Sequence, residues 1–279
     1  MKTFRHSWLL VFSLALAACS DDDADATPNP GTGTDTADAG DDENNSPDDA
    51  GTEEDGEADS APDGDSDPGT CSNTVIATCE ERRNELLNPV DAVSTGEVKV
   101  LSTEGSTLSV YVDASAGGTA QAASNPYVYI KLGTGERVDI TDLEAASSSD
   151  WDLAIKRTVF ATNSGHWGPG AGGALFFEGK AFDEVTATDA ATANIPQETL
   201  FDDTCNAILD GRGSPVTTMG DWYQYDMETH AVLPKDGTYV VRGADCTLYK
   251  LRIESNIATP EGDTNPAISA RYLLLVAPL

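Results

Sequence analysis

The chain has 279 residues and a formal net charge of −32, with 48 acidic residues against 16 basic ones. A protein with so large a negative charge repels the phosphates of nucleic acids and the anionic headgroups of lipids, which excludes nucleic acid as a partner. Much of the acidity lies near the N-terminus, so the charge of the whole chain is not that of its folded part.

The first 18 residues have the pattern of a bacterial lipoprotein signal peptide. Two basic residues precede a short apolar run, and residues 16–19 read Leu-Ala-Ala-Cys. The run is too short to be an ordinary spanning helix. We predict cleavage before Cys19 and acylation of its thiol, which would tether the mature protein to a membrane by lipid. The alternative is a soluble secreted protein. Ser20 favours the outer membrane, on its periplasmic or cell-surface side, because an inner-membrane retention signal would typically place Asp there.

Residues 19–70 are predicted to be the lipidated Cys19 followed by a disordered acidic linker. Between residues 20 and 70 the chain holds 19 of its 48 acidic residues, with no aromatic residue, no Lys and no Arg. Such a segment cannot bury enough apolar surface to offset the conformational entropy lost on folding. Residues 71–279 remain, which is enough for one all-β domain with its own core.

Four cysteines fall in the predicted domain: Cys71, Cys79, Cys205 and Cys246. An even set in a secreted protein predicts two disulfides, and four cysteines allow three pairings. Proximity in the sequence favours Cys71 with Cys79, which leaves Cys205 with Cys246. There is no Cys-x-x-Cys pair, so the ligands of that kind of zinc site are missing.

Beyond a short charged stretch at residues 80–88, which predicts a helical turn or two, the apolar residues alternate with a period of two. This spacing predicts half-buried antiparallel strands. In residues 151–159 it places Trp151, Leu153 and Ile155 on one face and Asp152 on the other. Residues 198–209 are the one later segment that could form a short helix. The alternating segments begin near Val98, Leu108, Tyr127, Trp151 and Tyr249, and an apolar run starts at Tyr272.

Catalytic motifs are missing from the sequence. Residues 168–173 match G-x-G-x-x-G, but they lead into Ala-Leu-Phe-Phe, which has the composition of a strand rather than of the helix that a dinucleotide fold requires. Neither G-x-S-x-G nor H-E-x-x-H occurs. We therefore predict a protein that is not an enzyme.

Two segments are similar to a known family. Residues 151–165 begin Trp-Asp-Leu-Ala-Ile-Lys and end Thr-Asn-Ser-Gly. Residues 222–230 read Trp-Tyr-Gln-Tyr-Asp-Met-Glu-Thr-His and precede a Tyr-Val-Val-Arg strand. These two sequence segments resemble the HmuY family of haem-binding lipoproteins. The resemblance implies a HmuY-like antiparallel β domain that captures haem or a related porphyrin and hands it to an outer-membrane transporter.

The resemblance also implies axial ligands to the haem iron. Members of the family use pairs of His or Met, so the candidates are His230, His166, Met219 and Met227, with His230 the first choice. Two donors on opposite faces of the ring must converge on one cleft. The glycine-rich loop at residues 165–173 would border that cleft. Each candidate also has a structural alternative, since a histidine can satisfy a buried carbonyl and a methionine can fill a gap in a core.

A second class of function is open to the same scaffold, because a fold does not fix a function. A surface adhesion or interaction lipoprotein would keep the β domain without haem. An exposed apolar patch without a cleft would favour this alternative.

Overall fold

The structure is a computed structural model, and it describes residues 71–75, 79–211 and 213–279. The predicted signal peptide, the lipidated Cys19 and the acidic linker lie outside the described residues. No helix in the described part of the chain is long and apolar enough to cross a membrane.

Strands dominate the described residues, as the alternating pattern predicts. Three short α-helices accompany them: α1 (Glu80–Leu87), α2 (Asp142–Ala145) and α3 (Ala187–Thr192). The strands are β1 (Val98–Glu104), β2 (Thr107–Asp113), β3 (Val128–Lys131), β4 (Glu136–Val138), β5 (Leu153–Lys156), β6 (Val159–Thr162), β7 (Gly173–Glu178), β8 (Tyr223–Tyr225), β9 (Val232–Pro234), β10 (Gly237–Arg242), β11 (Leu248–Ser255) and β12 (Arg271–Pro278).

The strands form two large antiparallel sheets and one hairpin. The larger sheet has the order β1-β2-β12-β11-β10-β7, and the smaller one has the order β4-β3-β5-β6. Strands β8 and β9 pair only with each other. Every named strand pair is antiparallel, which confirms the predicted all-β fold class.

The main core lies between the two large sheets. Alternate residues of each strand contribute to it, as expected for sheets packed face to face. The six-stranded sheet supplies Val110, Val112, Tyr239, Leu251, Tyr272 and Leu274, among others, and the four-stranded sheet supplies Val128, Ile130, Leu153, Ile155 and Phe160.

The four-stranded sheet is buried on its other face too, so the prediction of half-buried strands is wrong for β5. Ala154 and Trp151 belong to a second core cluster, with Tyr129, Trp167 and Leu200 among its other members. Trp151 therefore does not share a face with Leu153. Asp152 is also fully buried rather than exposed. Leu86 and Leu87 of α1, Ala145 of α2 and residues of the loop after β6 pack on this face.

The prediction of a short charged helix at residues 80–88 is confirmed by α1, which ends where Asn88 adopts a left-handed conformation. The helix considered for residues 198–209 does not form. Asp202 instead accepts hydrogen bonds from the backbone N–H groups of Thr204 and Asn206, both at 2.9 Å. An Asp side chain that bonds to nearby backbone in this way favours a tight turn over a helix.

All four cysteines are in disulfides, but the pairing favoured by sequence proximity is wrong. Cys71 is bonded to Cys246, with a Cα–Cα distance of 5.9 Å, and Cys79 is bonded to Cys205, with a Cα–Cα distance of 5.6 Å. The two bonds close intervals of 175 and 126 residues. Each cysteine of the N-terminal pair is bonded to a cysteine at a tight turn, so distance along the chain is no guide to proximity.

Residues 71–75 lie across the loop that follows β6. The side chain of Asn73 donates to the carbonyl oxygen of Gly168 at 3.2 Å and accepts from the N–H of Gly165 at 3.2 Å. The N–H and hydroxyl of Thr74 both donate to Oε1 of Gln197 at 2.8 Å. The first described residues are thus part of the domain.

Candidate functional site

One cleft in the described residues has a volume of about 820 Å³. This lies within the range of roughly 300 to 1,000 Å³ that is usual for small-molecule and cofactor sites. Three parts of the chain form its walls: the turn between β5 and β6, residues 210–211 with 214–217, and the segment that leads into and includes β8. The lining residues are Thr158, Val159, Asp210, Gly211, Ser214, Pro215, Val216, Thr217, Gly220, Asp221, Tyr223 and Tyr225.

Trp222 fixes one wall of the cleft to another. Its indole N–H donates to the carbonyl oxygen of Thr158 at 2.8 Å, and its buried ring packs edge-on against Phe160 and Tyr272 at centroid distances of 5.6 and 5.4 Å. The N–H of Lys235 also donates to its carbonyl oxygen at 2.8 Å. The hairpin formed by β8 and β9, which pairs with no other strand, is therefore attached to the main core through Trp222.

Glu198 holds the wall that contains Thr217. Its fully buried carboxylate accepts hydrogen bonds from the N–H groups of Thr162 and Thr218, both at 2.9 Å, and from the hydroxyl groups of the same two threonines. Burial raises the pKa of Glu198, and these donors partly oppose that rise. The carboxylate thus joins β6 to the chain beside the cleft.

Exposed apolar side chains are concentrated near the cleft. Of the eight large apolar side chains that are exposed among the described residues, six fall between residues 208 and 233: Ile208, Leu209, Val216, Tyr225, Met227 and Leu233. Such concentrations on soluble domains usually mark binding surfaces. Residues 208–233 therefore carry most of the large exposed apolar side chains of the described residues.

Tyr223 and Tyr225 both line the cleft because residues two apart in a strand point to the same side. Tyr223 is half-buried and packs against Trp222, with the ring centroids 4.8 Å apart. Tyr225 is more exposed, and its hydroxyl lies 2.8 Å from Nδ1 of His230. This contact brings the sequence-predicted ligand His230 to the edge of the cleft.

The turn between β8 and β9 determines where His230 lies. Oδ1 of Asp226 accepts from the N–H groups of Glu228 and Thr229, at 2.8 and 3.2 Å, and the N–H of Asp226 donates to the carbonyl oxygen of Ala231. His230 has a φ of 56°, a left-handed conformation that histidine adopts more readily than most residues. The turn thereby directs the histidine back toward Tyr225.

The structure does not bring the other predicted ligands to this cleft. Met219 is fully buried in the main core, and Met227 is exposed at the tip of the β8–β9 hairpin. His166 is buried in a different place, where its Nδ1 accepts from the N–H of Leu200 at 3.1 Å and its ring packs edge-on against Phe201. None of the four candidates is among the residues that line this cleft.

The glycine-rich loop at residues 165–173 does not border the cleft either. The side chain of Asn163 binds it from within, accepting from the N–H of Gly170 at 3.0 Å. Arg242 donates to the carbonyl oxygen of Ala171 at 2.6 Å. The loop is held by structural hydrogen bonds and leads into β7, as its sequence predicts.

Charged groups at the cleft are few and are mostly engaged with one another. Asp221 forms an ion pair with Lys235 at 2.6 Å, and Oδ1 of Asp210 accepts from the N–H of Ser214 at 2.9 Å. No cluster of three or more His, Cys, Asp or Glu side chains suited to a metal ion occurs within residues 71–75, 79–211 and 213–279.

Tyr225 lines the cleft but is not among the ligands predicted from the sequence, which are imidazole and thioether donors. The signal is nevertheless in the sequence, because a Tyr-x-Tyr strand followed by a short turn ending in His places a phenol and an imidazole on neighbouring positions of one hairpin.

The HmuY protein family matches residues 123–272, which is more than half of the chain and includes every residue that lines the cleft. No curated protein matches the sequence significantly.

Three solved structures are similar in fold. The apo HmuY analogue of Tannerella forsythia has 15% sequence identity and a TM-score of 0.40, and the alignment covers 68% of this chain and 100% of that one. A Bacteroides vulgatus protein, provisionally described as an HmuY-like haem-binding protein, has 17% identity and a TM-score of 0.38, with coverage of 65% and 97%. A Bacteroides fragilis protein, provisionally described as a lipoprotein, has 18% identity and a TM-score of 0.40, with coverage of 64% and 92%.

Proposed function

The chain belongs to the HmuY family, and we propose that it binds haem or a related porphyrin without catalysing a reaction. The observation that carries this proposal is the cleft of about 820 Å³, which has Tyr223, Tyr225 and Val216 on its walls and the Tyr225–His230 contact at its edge.

The residues present fit a porphyrin in three respects. The cleft has the volume of a cofactor site. Aromatic and aliphatic side chains on its walls match the apolar faces of a macrocycle, and the phenol and imidazole at its edge are both groups that bind haem iron.

The N-terminal sequence is the basis for a proposed location. We propose that the protein is a lipoprotein of the outer membrane, anchored through Cys19 and extended from the lipid surface by its acidic linker. In this position it would capture haem and pass it to an outer-membrane transporter. The lipobox sequence at residues 16–19 supports the anchoring.

Titration of the mature protein with haemin tests this proposal. The Soret absorbance of haemin is expected to shift saturably at a stoichiometry of one per chain. Val216→Asp places a charge on the apolar wall and is expected to weaken binding about tenfold or more, since burying an unpaired charge is costly. The matched control is Val93→Asp, because the two valines have similar exposure, 42% and 40%, and Val93 does not line the cleft.

Two results would contradict the proposal. One is a Soret spectrum that does not saturate in either the ferric or the ferrous state, which would favour the adhesion or interaction alternative and its use of the exposed apolar surface. The other is equal loss of binding in both valine variants, which would move the ligand away from this cleft.

A further inference from the structure

We infer that a second, smaller cavity beside α1 and α2 binds the carboxylate group of a small molecule that has a short apolar or aromatic tail. The groups that hold the carboxylate are the indole N–H of Trp167 and the guanidinium of Arg83, which both line this α1–α2 cavity. None of its lining residues lines the cleft proposed for haem. The inference therefore does not depend on the proposed function.

The α1–α2 cavity has a volume of about 30 Å³. Sites that enclose a whole ligand usually begin at roughly 300 Å³, so only a head group would fit inside this one. Tyr127 and Tyr129 contribute to one wall because residues two apart in an extended segment point to the same side. Leu87 and Leu143 add aliphatic surface. The walls are therefore mostly apolar, and the few polar groups among them determine what kind of head group binds.

The indole N–H of Trp167 is the first of these polar groups. Trp167 is buried, and its Nε1 has no hydrogen-bond partner in the described part of the chain. A buried indole N–H usually finds an acceptor. Trp151 and Trp222 follow that rule, since their N–H groups donate to carbonyl oxygens at 3.0 and 2.8 Å. Trp167 thus places a donor without an acceptor in the wall of a cavity.

Arg83 is the second polar group, and it is half-buried. It forms no ion pair within residues 71–75, 79–211 and 213–279, and its guanidinium donates to Oδ1 of Asn84 at 3.4 Å. The preceding Arg82 differs, because it pairs with Glu85 at 3.7 Å and does not line the cavity. A guanidinium has five N–H donors and no acceptor, and carboxylates are its strongest common partners.

The carboxylate of Asp142 also lines the cavity, but it is engaged with other donors. Its Oδ1 accepts from the N–H of Tyr127 and the hydroxyl of Tyr129, both at 2.9 Å, and its Oδ2 accepts from the N–H of Val90 at 3.1 Å. The charge of Asp142 repels an incoming carboxylate, and the positive charge of Arg83 offsets that repulsion. The cavity therefore has more free donors than acceptors, and a carboxylate supplies the missing acceptor.

Leu143 indicates where the tail of the ligand lies. It lines the cavity and is 47% exposed, so an apolar tail that covers it removes apolar surface from water. Val93 is exposed as well and forms a bridge with Thr141, the residue that precedes α2. The two large exposed apolar side chains that lie outside residues 208–233 in the described part of the chain are thus both beside α2.

Titration of the ¹⁵N-labelled mature protein with sodium benzoate, followed by NMR of the indole N–H groups, tests the inference. The mature chain has three tryptophans, and Trp167→Phe identifies the resonance of Trp167 by its loss. Benzoate should move this resonance downfield and saturably, because the N–H gains an acceptor. The resonances of Trp151 and Trp222 should stay in place, since both groups are already hydrogen-bonded.

Matched variants test the two other contacts. Arg83→Gln should weaken benzoate binding about tenfold, because it removes charged hydrogen bonds, whereas Arg82→Gln should leave it unchanged. Leu143→Ala should weaken binding about fivefold through lost apolar contact. Its control is Leu209→Ala, since the two leucines have similar exposure, 47% and 44%, and Leu209 does not line the cavity. Benzamide, which has the shape of benzoate without its charge, should bind more weakly than benzoate.

Three results would overturn the inference: a Trp167 resonance that does not move saturably, equal movement of all three indole resonances, and equal weakening by Arg82→Gln and Arg83→Gln. The resonances of Trp151 and Trp222 without benzoate show whether each variant keeps the fold. No haemin is present in these titrations, so their outcome is separate from the test of haem binding.

Discussion

The buried carboxylate of Glu198 accepts two hydrogen bonds from Thr218, one from the backbone N–H at 2.9 Å and one from the hydroxyl at 2.6 Å. Thr162 donates in the same two ways. One side chain therefore fixes β6 and the cleft wall to each other, with donors on both of its oxygens.

Glu198→Gln is expected to destabilise the protein by about 1 to 3 kcal/mol. A glutamine has one acceptor oxygen in place of two, so its NH₂ group would face a backbone N–H or a threonine hydroxyl and leave a buried donor unsatisfied. Urea unfolding followed by tryptophan fluorescence measures the change. Haemin affinity should fall in the same variant, and a variant as stable as the original protein would show that the four hydrogen bonds are dispensable.

Stability is expected to decrease when the pH falls below about 6.5 because of His166. Burial, together with the positive charge of Arg83, lowers the pKa of this histidine. A group whose pKa is lower in the folded state contributes stability above its unfolded pKa, about 6.5, and loses it as the pH falls toward the folded value. Protonation would also prevent Nδ1 from accepting the N–H of Leu200.

The pH dependence can be assigned to His166 by comparing thermal midpoints at pH 7.5 and pH 5 with those of His166→Asn. The Asn side-chain oxygen can replace Nδ1 as an acceptor and does not titrate in this range. A smaller loss of stability on acidification is expected in the variant. An equal decrease of the thermal midpoint in both proteins would show that a group other than His166 causes the pH dependence.

The pairing of the disulfides can be tested by mass spectrometry of non-reduced peptides. Peptides joined through Cys71 and Cys246, and through Cys79 and Cys205, are expected. Replacing both cysteines of either pair with serine should cost about 2 to 5 kcal/mol, since each bond closes a long interval of the chain. Recovery of a Cys71–Cys79 peptide would contradict the structure and restore the pairing favoured by sequence proximity.

Asp152→Ala is expected to destabilise the protein by about 3 kcal/mol or more, because it leaves buried donors without an acceptor. The carboxylate accepts from Lys131 at 3.2 Å and from the N–H groups of Leu132 and Ala244, at 2.9 and 3.0 Å. Asp139→Ala is the matched control, since Asp139 pairs with Arg137 at the surface. That exposed pair should contribute less than about 1 kcal/mol. Similar effects of the two substitutions would show that the buried hydrogen bonds of Asp152 contribute no more to stability than an exposed ion pair.

The strands could be predicted because their signal is local. In β11 the buried Tyr249, Leu251 and Ile253 alternate with less buried neighbours, and that period is enough to identify a strand. Burial of β5 on both faces could not be predicted in this way. The second buried face includes Ala154, and a residue as small as alanine is equally compatible with a buried and an exposed position.

The candidate site could be predicted only in part. The sequence around Tyr225 and His230 indicates the family, but the walls of the cleft come from residues 158–159, 210–211, 214–217 and 220–225, which only the folded chain brings together. His166 and Met219 have the right chemistry for ligands, and nothing in their neighbours reveals that each is buried in a core. The disulfide pairing could not be predicted for the same reason, because only the folded chain brings Cys246 close to Cys71.

The disulfide between Cys71 and Cys246 links the first described residue of the domain covalently to the turn between β10 and β11. Tension applied through the chain before residue 71 passes directly into the turn between β10 and β11, inside the six-stranded sheet. The hydrogen bonds of Asn73 and Thr74 lie beyond that point and carry none of the load. A pulling force on the chain before residue 71 would therefore leave the hydrogen bonds of Asn73 and Thr74 intact.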